Sequence, residues 1–295
     1  IAFGGGSALD AAKAVALMAR QEATLFGFTA NGDDWETINP GDIPPIIAVP
    51  TTAGTGSEVG RASVITDAEK HIKRIVFNPR MMPSVVIADP ELTVGLPRMI
   101  TAATGIDALS HNLEAFCSPH FHPMAEGIAI EGIRLVWEYL PDACADGNDL
   151  VARSQMMIAS TMGATAFQRG LGGMHALAHP LGALYDAHHG MLNAILMPYV
   201  LLRNREAIAD RISRLSAYLG LKNPSFDSFL QWVLSLREGL SIPNDLTALG
   251  IDTAQMELVG AMAAEDPSAD GNPIALSAGD YSELFGRAVN GNLDI

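Results

Sequence analysis

The hydrophobic pattern of this chain changes period once, at Pro97, and that change limits the folds open to it. Up to Pro97, short apolar runs at 1–3, 46–49, 74–77 and 84–88 alternate with helical or loop segments, each run bounded by Gly, Pro, Asn or Asp. This is the pattern of an α/β layer, and it predicts strands, the first two of them central in a sheet. Between those two, 8–20 is rich in Ala and has apolar residues at helical spacing, whereas 32–45 is polar and turn-rich. Beyond Pro97 the strand signals stop, and helical periodicity marks 101–116, 126–140, 149–167, 205–219, 226–240 and 253–263. Gly220 stands where a helix would end, and Pro243 and Pro267 follow helical runs. At 295 residues the chain is long enough for two domains. The expectation is a partial Rossmann-like, parallel-sheet nucleotide-binding domain over 1–97, followed by an all-helical domain over 98–295. No internal repeat of fixed period points to a solenoid.

Several function classes are disfavoured. The formal charge is −15 with no offsetting run of Lys or Arg, so phosphate backbones and anionic lipid surfaces would be repelled. The most apolar stretch, 193–202, is interrupted by Pro198 and is far shorter than the roughly 20 residues of a membrane span. Cys117 and Cys144, the only two cysteines, lack metal-ligand or redox spacing, which predicts reduced thiols in a cytoplasmic protein. The chain begins Ile1-Ala2-Phe3, as if in a strand already under way, and an N-terminal truncation is the expectation.

Gly4-Gly5-Gly6-Ser7 joins the first strand directly to the first helix. Residues without side chains at such a turn let backbone amides approach a phosphate, and the helix N-terminus favours negative charge. Taken alone, the same residues read equally well as a tight turn in which Ser7 and Asp10 form a capping box. A second turn after the second strand, Pro50-Thr51-Thr52-Ala53-Gly54-Thr55-Gly56-Ser57-Glu58, is dense in hydroxyls and glycines. Ligands of open α/β sheets lie beyond the carboxyl ends of the strands, where both turns would sit. The plain alternative for the second is a solvated connector whose hydroxyls satisfy their own backbone.

Asp107 and His111 are spaced to share one face of a helix, from which a carboxylate and an imidazole can each offer a lone pair to one divalent ion. Alone, such a pair is more often a core histidine beside an acid. The case changes between Gly170 and Gly190, where His175, His179, His188 and His189 gather half of the chain's 8 histidines. His175 and His179 again have helical spacing, and Pro180 and Gly182 predict that the chain leaves or distorts the helix before His188. Three imidazoles and one carboxylate suit Fe(II) or Zn(II) and leave room for a substrate oxygen. His71, His120 and His122 read as surface or loop residues.

The ordered set of Gly4-Gly5-Gly6-Ser7 with Asp10, the 50–58 turn, Asp89-Pro90, Gly105-Ile106-Asp107-Ala108-Leu109 with His111, and the stretch from His175 to Gly190 resembles the iron-containing (group III) alcohol dehydrogenases over essentially the whole chain. The resemblance implies metal ligation by Asp107, His111, His175 and His189, with His188 an extra neighbour. It places His179 near the nicotinamide as a catalytic proton-transfer residue. It assigns Gly5, Gly6, Ser7 and Asp10 to the cofactor pyrophosphate, Thr51, Thr52, Thr55 and Ser57 to the same cleft, and Lys73 to the ribose or phosphate. The implied cofactors are NAD or NADP with Fe(II), alternatively Zn(II). The implied reaction moves a hydride between a primary or secondary alcohol, or its aldehyde or ketone, and the nicotinamide, and a homodimer is the implied assembly.

Two departures matter. The resemblance implies a segment ahead of the Gly-rich loop, including an acidic residue that reads the adenosine ribose; its absence from this sequence fits the expected truncation, and NAD and NADP are both expected. Ala166-Phe167-Gln168-Arg169-Gly170 stands where many relatives have an Asn-containing stretch, which weakens inference about the substrate. The rival readings are an enzyme resembling glycerol dehydrogenases or dehydroquinate synthases, and an inactive fragment kept as a binding or oligomerisation surface. Phosphate release would mark a synthase, and absence of saturable NADH binding would mark a dead scaffold.

Overall fold

The computed structural model describes residues 1–22, 24–29, 43–70 and 72–294. Most of the expected 32–45 loop, and His71, lie outside the described residues.

A parallel sheet is built from β1 (Ala2–Gly4), β2 (Ile47–Pro50) and β5 (Val85–Val86) in the order β1-β2-β5. Ala2 aligns with Ala48, and Ile47 aligns with Val85. Of the two strands expected to be central, only β2 has a neighbour on each side among the described residues; β1 pairs with β2 alone. Helix α1 (Gly6–Met18) follows β1 at once, and its Leu9 packs with Ala2, Ile46 and Ala48 to cover one face of the sheet.

The other two strands, β3 (Ala62–Asp67) and β4 (Ile72–Phe77), form a separate antiparallel hairpin. The apolar run at 74–77 therefore belongs to this hairpin and not to the parallel sheet. Asp67 shapes its turn by accepting the amides of Glu69 and Lys70 and the Nε–H of Arg74. The hairpin is fastened to α1, since the Ser63 hydroxyl donates to the Asp10 carbonyl and the Val64 amide donates to the Asp10 carboxylate.

Among the described residues, everything after Pro97 is helix, short 3-10 turns and connections. The α-helices are α2 (Arg98–Cys117), α3 (Pro123–Ala145), α4 (Leu150–Ala166), α5 (Gly173–Tyr185), α6 (His189–Arg203), α7 (Arg205–Tyr218), α8 (Phe226–Gly239), α9 (Met256–Glu265) and α10 (Ala278–Asn290). A partial Rossmann-like layer followed by a helical body is thus the observed fold class. Helix α2 is its axis: every residue from Thr101 to Cys117 is buried, among α3, α4 and α6. A helix enclosed on all sides must find partners for each polar side chain it carries. Those on α2 are Asp107, His111, Asn112 and Glu114, among others, and three of these four define the site below.

As expected, α5 ends before His188, although Pro180 lies inside it, as Pro198 does inside α6. Helix α5 ends at Asp186, whose φ of 51° turns the chain in the left-handed region, a conformation that Asp tolerates better than most residues. Cys117 and Cys144 are free and buried, and burial pushes both thiols up, Cys144 to about 11 and Cys117 to about 12. Among the described residues, no helix is long and apolar enough to cross a membrane.

Candidate metal centre and cofactor cleft

Asp107 and His111 reach the site from α2, His175 from α5 and His189 from the first turn of α6. One donor atom from each lies within 4.8 Å of every other. From Asp107 Oδ1 the distances are 4.0 Å to His111 Nε2, 3.9 Å to His175 Nε2 and 3.7 Å to His189 Nε2. Ligand atoms about 2.1 Å from a tetrahedral ion stand about 3.4 Å apart, so the three Asp107 separations exceed that spacing by roughly 0.3–0.6 Å.

Hydrogen bonds behind the cluster set the tautomers. His175 Nδ1 lies 2.6 Å from Glu114 Oε2, and His111 Nδ1 lies 3.2 Å from the Gly54 carbonyl oxygen. Carboxylate and carbonyl only accept, so each ring donates Nδ1–H and turns an Nε2 lone pair toward Asp107. Burial, reinforced by neighbouring imidazoles, holds His175 and His189 well below the usual histidine range, so both are neutral. Burial pushes Glu114 up to about 7, against the opposing effect of the Gly172 and Met174 amides that donate to it.

Asn193 of α6 stands among the donors, with Nδ2 2.9 Å from Asp107 Oδ1 and 3.2 Å from Nε2 of both His175 and His189. Its Oδ1 and the Nδ1 of His189 are buried without a partner among the described residues. Orphaned polar atoms inside a neutral imidazole cluster mark a place whose hydrogen bonding is unfinished. The donor set of three nitrogens and one carboxylate oxygen fits a borderline divalent ion such as Fe(II) or Zn(II).

The remaining histidines separate cleanly. His188 and His122 are exposed N-caps, accepting the amides of Met191 and Ala125. His120 is also exposed, 3.3 Å from Asp270. His179 is buried beside the cluster, its Nδ1 2.8 Å from Asp266 Oδ2.

A cavity of about 470 Å³ runs from the cluster to the first turn of α1, and its walls include Gly6, Ser7, Asp10, Thr55, Ser57 and Lys73. Gly5, Thr51 and Thr52 adjoin that wall. The Thr51 amide donates to Gly4, and Thr52 packs against the position a side chain at Gly5 would need. A Cβ on Gly6 would collide with Thr55, which is how closely the two turns approach each other. Burial lowers the Lys73 ammonium pKa, opposed by the charges of Asp107 and Asp266.

The expected Ser7–Asp10 capping box is not formed. The N-cap of α1 is Gly5, without a side-chain bond, because the Asp10 carboxylate is drawn elsewhere. It accepts the Ser57 hydroxyl at 2.5 Å and the Val64 amide at 2.9 Å, and it lies 3.1 Å from Lys13 Nζ. Buried Lys13 in turn donates to the carbonyls of Ser57, Gly60 and Ala62. Asp10 therefore lines the cavity with its charge already engaged, and the Asp10–Lys13 pair clamps α1 to the second turn and to β3.

Sequence reasoning missed Lys13, Glu114, Asn193 and Asp266. Glu114 follows His111 by three residues on one helical face and Asn193 follows His189 by four, so spacing could have found both. Arg169, in the departing stretch, is buried and turned inward, donating to the carbonyls of Ala115, Phe116 and His120. Phe167, Gln168 and Leu171 line the cavity instead.

A parallel-sheet layer whose glycine turn shares a cleft with a helical His/Asp cluster defines a class of two-part, metal-site oxidoreductases. Within that class, the chain belongs to the iron-containing alcohol dehydrogenase family: residues 1–90 match iron-containing alcohol dehydrogenase, and residues 101–289 match the Fe-containing alcohol dehydrogenase family, C-terminal. It is 39% identical over 300 residues to the 4-hydroxybutyrate dehydrogenase of Cupriavidus necator, covering 98% of this chain and 77% of that protein. The crystal structure of a 1,3-propanediol oxidoreductase superposes with a TM-score of 0.90 at 35% identity, over 97% of this chain and 75% of that one. A sulfoacetaldehyde reductase from Bifidobacterium kashiwanohense, in complex with NAD+, superposes with a TM-score of 0.87 at 30% identity, over 97% and 75%. The protein is an alcohol dehydrogenase of this family.

Proposed function

We propose that this enzyme interconverts a primary or secondary alcohol and its aldehyde or ketone with NAD or NADP, using one divalent ion, Fe(II) or alternatively Zn(II), held by Asp107, His111, His175 and His189. The observation that carries the proposal is the convergence of these four donors at one end of a cleft whose other end is the Gly6–Ser7 turn. When bound, the ion supplies Lewis acidity toward the alcohol oxygen and the nicotinamide accepts the hydride. The protein's own groups do the rest. Gly5, Gly6, Ser7 and the helix N-terminus receive the pyrophosphate, with Thr51, Thr52, Thr55 and Ser57 shaping the cleft around it. Asp10 holds that wall together, and the Lys73 ammonium reaches a ribose or phosphate oxygen. His179 takes the hydroxyl proton at Nε2, and the Phe167 and Leu171 side chains shield the reacting atoms from water.

The reading divides the chain into a cofactor-binding domain over 1–97 and a metal-binding, catalytic domain over 98–295, in a cytoplasmic homodimer. Metal analysis of the purified protein, alongside a panel of alcohols scored for reduction of NAD and NADP, tests it. The expected result is one ion per chain and cofactor reduction, both lost in His175→Ala. A fully active, metal-free variant would overturn it.

A further inference from the structure

His179 stands one helical turn beyond His175, its ring nearly parallel to that of His189 at a centroid distance of 5.5 Å. Yet this imidazole is not one of the four convergent donors. Its Nδ1 is held at 2.8 Å by Oδ2 of Asp266, 87 positions later in the chain. The other carboxylate oxygen accepts the Ser268 amide at 2.8 Å, at the start of the 3-10 turn Pro267–Gly271. Both oxygens of Asp266 are thereby fixed. Asp266 lines a second cavity of about 270 Å³, whose walls also include His179 and Lys73. It is not among the described residues that line the larger cleft. Of the pair, the imidazole lines the larger cleft and the carboxylate bonds to it from behind.

An unanchored neutral imidazole exchanges its proton between two nitrogens and can turn its ring. A carboxylate that only accepts selects the Nδ1–H form and one ring orientation. We infer that Asp266 is a positioning residue: by accepting the Nδ1 proton of His179, it keeps that imidazole out of the donor cluster and presents an Nε2 lone pair to the cleft. The inference rests on the reading of His179 as the proton acceptor. In that step the alcohol O–H bond breaks and its proton joins Nε2. The C–H electron pair leaves as hydride to the nicotinamide as the carbonyl forms, while Asp266 gains and loses nothing.

The test is independent of turnover. Nitrogen-15 NMR of histidine-labelled holoenzyme, with the His179 signals assigned by their loss in His179→Ala, reads the tautomer directly. The expected result is Nδ1–H in the wild type, shifting to Nε2–H or a mixture in Asp266→Asn and returning in Asp266→Glu. An Nε2–H form in the wild type, or an unchanged tautomer in Asp266→Asn, overturns the inference whatever the activity. The kinetic consequence is a fall in kcat of about 100-fold or more in Asp266→Asn, with KM, NADH affinity and metal content within about threefold of wild type. In a His179→Ala background the same substitution changes kcat by less than about threefold. An equal loss in both backgrounds would show that Asp266 acts otherwise. A chain that binds metal and NADH, shows the expected tautomers and oxidises no alcohol would refute the proposed function while leaving the positioning intact.

Discussion

Glu114 lies behind His175, its Oε2 2.6 Å from the ring Nδ1, and the same carboxylate accepts the amides of Gly172 and Met174 at 2.8 and 2.7 Å. One buried side chain on α2 thus sets both the tautomer of a donor on α5 and the path by which α5 begins. The helix that carries Asp107 and His111 therefore also positions the third member of the cluster.

Replacing Glu114 by Gln keeps the volume but substitutes a donor for one acceptor oxygen. Metal affinity should fall by about 10–100-fold, as is usual when a ligand loses the partner behind it. Competition against a chromogenic chelator measures this, and an unchanged affinity would show that Glu114 is only a packing residue.

At Gly6 a methyl group has nowhere to go, because Thr55 occupies the space. Gly6→Ala should weaken NADH binding by about tenfold or more, since the turn must move away from where the pyrophosphate would approach. Metal content should stay at the wild-type level, and fluorescence titration with NADH reads the difference.

Lys13 is 1% exposed and donates to the backbone carbonyls of Ser57, Gly60 and Ala62, from the end of the second turn to the start of β3. Lys13→Met leaves those acceptors and Asp10 without their donor, which should lower stability by roughly 3–5 kcal/mol in denaturant unfolding. A loss below about 1 kcal/mol would mean that other donors replace it.

On the surface, hydrogen bonds from Arg134 hold the Glu131 carboxyl down to about 2, aided by Tyr218. A carboxyl depressed in the folded state stabilises it above the unfolded value of about 4.3, and that contribution disappears as pH falls toward the folded value. Glu131→Gln should therefore cost no more than about 1 kcal/mol at pH 7, because the pair is solvent-screened. The gap between the two thermal midpoints should close on acidification from about 4.3 toward 2. A gap that persists there would assign the effect to packing.

The sequence was most legible where chemistry and periodicity coincide. Asp107 with His111, and His175 with His179, declare a helical face by their spacing, and the glycines after β1 declare the first turn. What escaped was non-local or masked by local rules. The β3–β4 hairpin has no Gly or Pro in its turn, where Asp67 supplies the shape instead. Helix α6 went unassigned because its apolar run is continuous and contains Pro198, and α5, which ends before His188 as expected, runs on past Pro180. Burial holds both helices together through a residue that would break an exposed one. Ser7 and Asp10 satisfied a capping pattern, but partners 47 and 54 positions away captured the Asp10 carboxylate. Asp266 had no local signal at all, because only the fold brings it to His179.

Anomalous diffraction at the iron and zinc absorption edges, from crystals of the protein purified with its own metal, addresses the central claim most directly. A single peak about 2.0–2.2 Å from a carboxylate oxygen of Asp107 and from Nε2 of His111, His175 and His189 is the predicted result. An active enzyme whose only peak lies elsewhere, or which shows none, would contradict the account.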